Sequence, residues 1–158
     1  MRKSFAKELY KQMEGNKNIW LIVGDVGFGI FDKIREDFPD RFLNTGAAEQ
    51  AMVDIGVGLA MSGKIPFVYS ITPFLLYRPF ESIRNFLNRE KVPVKLVGAG
   101  RNNDYFADGF THWAEEDKKV MMLFENIEHY IPTSELDVEL MTRGCVINNK
   151  PCYINLPR

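Results

Sequence analysis

Residues 65–99 read IPFVYSITPFLLYRPFESIRNFLNREKVPVKLVGA. An apolar run rich in β-branched and aromatic residues (65–70) gives way to a helical stretch over about 75–90, and a second apolar run, PVKLVGA (93–99), follows. Short apolar runs bounded by breakers are the mark of buried strands. The same alternation extends outward in both directions. Upstream, Phe5, Leu9 and Met13 recur four apart, which predicts a helix over 4–14 with Ser4 as its N-cap. NIWLIVGD (18–25) predicts a buried strand, a short helical pattern with Phe31 and Ile34 ends at Pro39, and RFLN (41–44) predicts a second strand. Residues 47–62 put Met52, Ile55 and Leu59 on one helical face and stop at Gly63. Downstream, a helix over 114–124, a strand at 127–131, a helix at 134–145 and a strand at 152–156 complete the chain. Strands alternating with helices predict an α/β, doubly wound fold: a mostly parallel sheet of about six strands with helices on both faces.

The 158 residues suit one domain spanning 1–158. Twenty Lys and Arg against twenty-one Asp and Glu leave a net charge of −1, which offers no general attraction to nucleic acid or acidic lipid. Apolar stretches end well short of the roughly 18 residues that a membrane span needs. The opening MRKSFAKELYKQMEG has no uninterrupted apolar block and does not read as a secretory signal. Cys145 and Cys152 lack metal-ligand spacing and read as small buried apolar residues, in keeping with a reduced, cytoplasmic setting.

In such sheets ligands gather beyond the C-terminal ends of the strands. Four segments occupy that edge: GDVGFG (24–29), NTGAAEQ (44–50), YSITPF (69–74) and GAGRNNDYFADGFTH (98–112). GDVGFG is neither a dinucleotide fingerprint nor a P-loop, and flexible turn glycines explain it as well. Glu49 opens a helix, where any carboxylate is favoured by the dipole. Yet Gly46, Ala47 and Ala48 clear space before it, and a carboxylate in an apolar niche can trade protons near neutrality. Phe74, Tyr77 and Phe80 fall three apart, a spacing more often found in a core, though just after a strand's end it also suits stacking on a flat ring. Arg84 reads as a solvated residue of the same helix, and His129, in the strand pattern IEHYI, as structural. His112 closes a long polar loop beside Thr111 and near Asp108, as either a general acid–base or a hydrogen-bonded loop residue.

Taken together, FPDRFLNTGAAEQAMVDIGVGLAMSGKIPFV (38–68), YSITPFLLYRPFESIRN (69–85), DGFTHWAEED (108–117) and the closing PCYINLPR (151–158) resemble one family. It is the pyrimidine-binding domain of transketolase-like thiamin diphosphate enzymes, a group that includes transketolase, 1-deoxyxylulose-5-phosphate synthase and the beta subunits of 2-oxoacid dehydrogenases. The resemblance covers about residues 18–158. It implies thiamin diphosphate as cofactor, with Glu49 hydrogen-bonding the aminopyrimidine ring nitrogen para to the amino group. A proton shared there favours the tautomer able to take up the thiazolium C2 proton. It further implies that Tyr77 packs on the pyrimidine ring with Phe74 and Phe80 as neighbours, and that Asp25 lies near the thiazolium end. Asp108 and His112 match residues facing substrate hydroxyl and carbonyl groups, and Arg101, with Asn102 and Asn103, is an added source of substrate contacts.

The chain also departs from the family's pattern. Gly100 stands where transketolase carries another substrate histidine, RNNDYFA replaces a glycine-rich loop, Gly29 replaces a phosphate-holding serine, and Ala107 suits the synthase better. The motif that binds Mg²⁺ and the diphosphate in these enzymes is absent from GDVG (24–27), so no metal ligands are expected within this chain. The resemblance therefore implies half of an active site, with Mg²⁺ held mainly by a separate subunit carrying the diphosphate-binding domain, in a homodimer or heterotetramer. The expected reaction is transfer of a ketol unit between a ketose and an aldehyde, with Glu49 and His112 catalytic. Oxoacid decarboxylation with condensation, or a non-catalytic subunit retaining the fold, remain the alternatives. Without its partner the chain is expected to be inactive, to bind cofactor poorly and to self-associate through apolar residues of 47–62 and 74–89.

Overall fold

A computed structural model describes all 158 residues. The strands are β1 (Ile19–Val23), β2 (Phe42–Asn44), β3 (Ile65–Ile71), β4 (Lys95–Ala99), β5 (Glu128–Tyr130) and β6 (Cys152–Leu156). They form one six-stranded sheet in the order β2-β1-β3-β4-β6-β5, and every pairing is parallel. The register aligns Val23 with Asn44 and Tyr69, and Ala99 with Ile71 and Leu156. The carboxyl ends of the strands therefore share one edge, as the alternating sequence predicts. The edge strands β2 and β5 are three residues each, which limits the unpaired backbone on offer.

Side chains alternate across a strand, so each inner strand supplies both cores. Leu21, Val23, Phe67, Tyr69, Val97, Ile154 and Leu156 face one side. There they meet α1 (Arg2–Gly15), α2 (Asp32–Asp37) and α7 (Glu135–Ile147), with Phe5, Leu9 and Met13 of α1 fully buried. Ile22, Val68, Leu96 and Tyr153 face the other side. They are covered by α3 (Glu49–Met61), α4 (Thr72–Tyr77), α5 (Phe80–Ser82, continuing as a π-helical stretch Ile83–Arg89) and α6 (Asp117–Met121). Each buried Leu, Ile or Phe stabilises the fold by roughly 1.5–3 kcal/mol. No helix is long and apolar enough to cross a membrane.

Several predicted elements change shape. Met1, not Ser4, caps α1, because the helix starts two residues earlier. The single helix expected over 75–90 begins at Thr72, directly from β3, and breaks around Pro79, which has no N–H to continue the ladder. The helix expected at 114–124 shrinks to α6, because Ala114 is held extended in a bridge to Asn102. On α3 the buried stripe is Glu49, Met52, Val53, Gly56, Val57 and Ala60, while Ile55 and Met61 face outward. With Tyr77 and Phe86 these give the exposed apolar residues expected of the 47–62 and 74–89 segments. Ser134 caps α7 through a capping box with Asp137.

Cys145 and Cys152 are free and buried, with Sγ atoms 2.7 Å apart. Lys95, also buried, donates from Nζ to the Asn148 carbonyl at 2.6 Å, at the far end of the sheet from the ligand edge. His129 stacks on Tyr153 with ring centroids 5.0 Å apart, as its structural reading requires. Burial pulls its imidazole below the usual 6.5, against the opposing pull of Asp117. The unfolded chain therefore takes up a proton that the folded chain resists, and stability falls as pH drops below 6.5. Glu8 and Glu128, whose partners hold them below their usual 4.5, add acid lability only at lower pH. Urea midpoints of the His129→Phe variant should lose the decline that the parent shows as pH first falls below 6.5. A methyl on Gly98 would sit 2.6 Å from Thr72 Oγ1 and 2.9 Å from the Tyr153 ring. Gly98→Ala should therefore lower unfolding stability by about 1–3 kcal/mol, read from the same titrations.

Candidate active site at the carboxyl edge of the sheet

The strand order reverses direction at β1, since β2 lies on one side of it and β3 on the other. Such a switch point opens a crevice at the carboxyl edge. Gly24 follows β1 there, and Glu49 opens α3 beside it with its side chain 2% exposed. A Cβ on Gly24 would lie 3.2 Å from Met52 Sδ, 3.4 Å from Ser70 Oγ and 3.6 Å from Glu49 Cγ. The niche around the carboxylate is thus built by a glycine, a thioether and a small hydroxyl. Ser70 Oγ is fully buried and has no hydrogen-bond partner.

Glu49 is not left unpaired. Arg78 NH1 donates to Glu49 Oε2 at 2.7 Å, and the same guanidinium lies 3.9 Å over the Phe74 ring. Phe74 in turn meets the imidazole of His112 edge-on, with centroids 4.8 Å apart. Contacts thus run in a line from Glu49 through Arg78 and Phe74 to His112, gathering residues 63 positions apart in sequence. His112 Nδ1 is 3.0 Å from Thr111 Oγ1, which leaves Nε2 as the free ring nitrogen. Tyr77 is on the rim, 36% exposed, and its hydroxyl donates to Glu116 at 3.4 Å. Burial and the Glu116 carboxylate push that phenol up to about 12, so it stays protonated. Asp25, just after β1, adopts the left-handed region at φ +54°. Its N–H donates to Asn44 Oδ1 at 3.0 Å, tying the ends of β1 and β2 together.

Three expected site residues sit elsewhere. Phe80 packs on Phe124, 5.3 Å between centroids, as part of the core beneath the helix. Arg101 is not turned to the crevice: its Nε donates to Asn155 Oδ1 at 2.6 Å and its NH2 to the Pro132 carbonyl at 2.7 Å. That cation anchors the loop to β6 because it bridges the Asn155 side chain with the carbonyls of Asn155 and Pro132. Asp108 is exposed in a short turn and pairs with Arg158 at 3.6 Å, not with His112. Gly100 has φ +92°, and a Cβ there would stand 2.4 Å from the Tyr105 ring. Tyr105 covers the position where the resemblance places a histidine, so no side chain fits without moving it. No cluster of three or more His, Cys, Asp or Glu residues suited to an ion is present.

Reading the sequence missed Arg78, Ser70 and the buried set of Asp117, Tyr153 and Asn155. Asp117 accepts from the Tyr153 hydroxyl at 3.3 Å and from Asn155. Arg78 did leave a signal, as the one charge inside the apolar stretch Phe74–Phe80. The aminopyrimidine end of thiamin diphosphate fits these residues: a buried carboxylate, an orphaned hydroxyl nearby and two aromatic faces.

Over residues 1–158 the chain matches the family described as transketolase, pyrimidine binding domain. It is 31% identical, over its full length, to half (50%) of a putative transketolase C-terminal section from Methanocaldococcus jannaschii. It is 32% identical over 77% of its length to one of the subunits of an apulose-4-phosphate transketolase from Actinobacillus succinogenes, covering 39% of that protein. A 1-deoxy-D-xylulose-5-phosphate synthase of Prochlorococcus marinus is 28% identical over 99% of the chain, which covers 24% of it. Among solved structures, a split-gene transketolase described as an inactive beta4 tetramer superposes with TM-score 0.87 and 28% identity, over 99% of this chain and 50% of that one. The chain thus spans half or less of the length of these relatives. With the whole of its length matched and the same sheet beneath it, the chain belongs to the transketolase pyrimidine-binding domain family.

Proposed function

We propose that this chain is the pyrimidine-binding subunit of a split, thiamin diphosphate-dependent transketolase-like enzyme that transfers a ketol unit between a ketose and an aldehyde. The observation that carries the reading is Glu49, a carboxylate buried at the switch point with an aromatic face within one residue's reach. Bound thiamin diphosphate supplies a nucleophilic carbon and an electron sink for making and breaking carbon–carbon bonds. Glu49 would hold a proton at the aminopyrimidine ring nitrogen from its buried place at the start of α3. Phe74 and Tyr77 would bound the ring, Asp25 would face the thiazolium end, and His112 Nε2 would move a proton at a substrate oxygen. Asp108 would meet substrate hydroxyls only by leaving Arg158.

A separate subunit would hold the diphosphate and Mg²⁺, in a homodimer or heterotetramer, and the chain would be inactive without it. Two relatives support that division, since one is named as a C-terminal section and the other as one subunit of a transketolase. The second name also points to phosphorylated sugars. The setting would be the cytoplasm, where Cys145 and Cys152 stay thiols. The ring of Tyr105 over Gly100 favours keeping a second reading, oxoacid decarboxylation with condensation, because a sugar-facing contact of transketolase is gone.

Isothermal titration of thiamin diphosphate with Mg²⁺ into the chain alone and mixed with a diphosphate-domain subunit tests the split site. Binding is expected only in the mixture, and submicromolar binding by the chain alone would refute the division of labour. In the same mixture Glu49→Gln should lower ketol-transfer turnover about 100-fold or more. Unchanged turnover would leave a non-catalytic subunit that has kept the fold.

A further inference from the structure

Arg78 occupies the crevice in a manner that mimics a ligand. A guanidinium is flat, delocalised and rimmed with N–H donors. Here its face lies 3.9 Å from the centroid of Phe74 and its edge donates to Glu49 at 2.7 Å. An aminopyrimidine seated on this pair of residues would present the same two things, a flat face to the aromatic ring and an N–H to the carboxylate. The two would compete for Glu49 Oε2 and for the face of Phe74 that the guanidinium covers. Glu49 is 2% exposed and accepts from no donor but Arg78, while the Phe74 ring is already flanked by His112.

We propose that Arg78 is an internal stand-in for the aminopyrimidine: its contacts to Glu49 and Phe74 are the ones the ring would make, and it has to be displaced before the ring can bind. The inference rests on the proposed function only in naming the ring that displaces it. The physical need is plain, since a carboxylate buried without a partner carries a large desolvation cost. Arg78 meets that need reversibly. Its side chain is 47% exposed, so the guanidinium can swing into water without uncovering the core. It stands directly before Pro79, at the break between α4 and α5, outside the regular turns of either helix. Leu75 and Leu76 of α4 are fully buried in the core beneath. The closed arrangement lowers the apparent affinity for the ring by the fraction of molecules in which the slot is open.

The test uses the full chain and 4-amino-2-methylpyrimidine as probe, followed by NMR of the arginine Nε–H signals. In the parent chain, saturating probe should move the Arg78 signal from its hydrogen-bonded position to that of a solvated guanidinium. Arg78→Met, which keeps the aliphatic bulk, should bind the probe about tenfold more tightly than the parent. Equal or weaker binding by Arg78→Met, or no saturable binding to it, overturns the stand-in. A second measurement guards against a folding defect. Arg78→Met should lower the urea midpoint in the Glu49 background but leave it unchanged in a Glu49→Gln background, and additive effects overturn the pairing. Failure of the two-subunit mixture to bind thiamin diphosphate, with the probe behaving as described, would sink the proposed function and leave the stand-in intact. Normal cofactor binding with no gain in probe affinity for Arg78→Met would sink the stand-in alone.

Discussion

A wholly parallel sheet sends the carboxyl ends of its strands to one edge, and nearly everything chemical about this chain follows from that. The strand order turns back at β1, so the connections after β1, β2 and β3 converge on one crevice. Gly24, Glu49, Ser70 and Phe74, scattered over 50 residues of sequence, become neighbours there. The burial of Glu49 is a consequence of this geometry. Helix α3 has to lay Met52, Val53, Gly56 and Val57 against Ile22 and Val68, and its first turn is carried down with them. An acceptor buried in that way costs about 1–3 kcal/mol if left unsatisfied. Arg78 offsets that cost by donating to Glu49 Oε2 at 2.7 Å, in the same crevice.

The other side of the crevice depends on a polar network in place of an apolar core. Asp117 at the start of α6 is 3% exposed and accepts from Tyr153 and Asn155 of β6. Arg101 clamps the stem of the loop to Asn155 and to Pro132, and Thr72 donates to the Gly100 carbonyl at 2.7 Å. A satisfied network of this kind holds backbone in one position more strictly than apolar contacts do. The loop bearing His112 is therefore anchored at its base, while its outer residues Phe106, Asp108 and Phe110 remain exposed.

The legibility of the sequence varied with the range of the interaction. The strands and the faces of α1 were readable because apolar periodicity reports local burial, and Phe5, Leu9 and Met13 all lie in the core. Glu49, Phe74, Tyr77 and His112 were named through a resemblance of motifs, and the fold links Glu49, Phe74 and His112 through Arg78. Phe80 was misplaced because three aromatics at one spacing look alike until Phe124, 44 residues later, claims one of them. Arg101 was misplaced for a similar reason, since its partners Pro132 and Asn155 come from the last third of the chain. Boundaries failed where a distant contact overruled local preference, as the Asn102–Ala114 bridge did for the helix expected at 114–124.

The sequence by itself determined the α/β class, the number of strands and the family, because each depends on patterns contained within short windows or on motifs read directly. Only the tertiary structure decided which side chains face one another. It set Arg78 on Glu49 and Phe74, closed Tyr105 over Gly100 and took Arg101 out of the crevice. Those outcomes depend on contacts between segments that no local window contains, where the burial of one polar group is settled by whichever partner the fold brings within hydrogen-bonding distance.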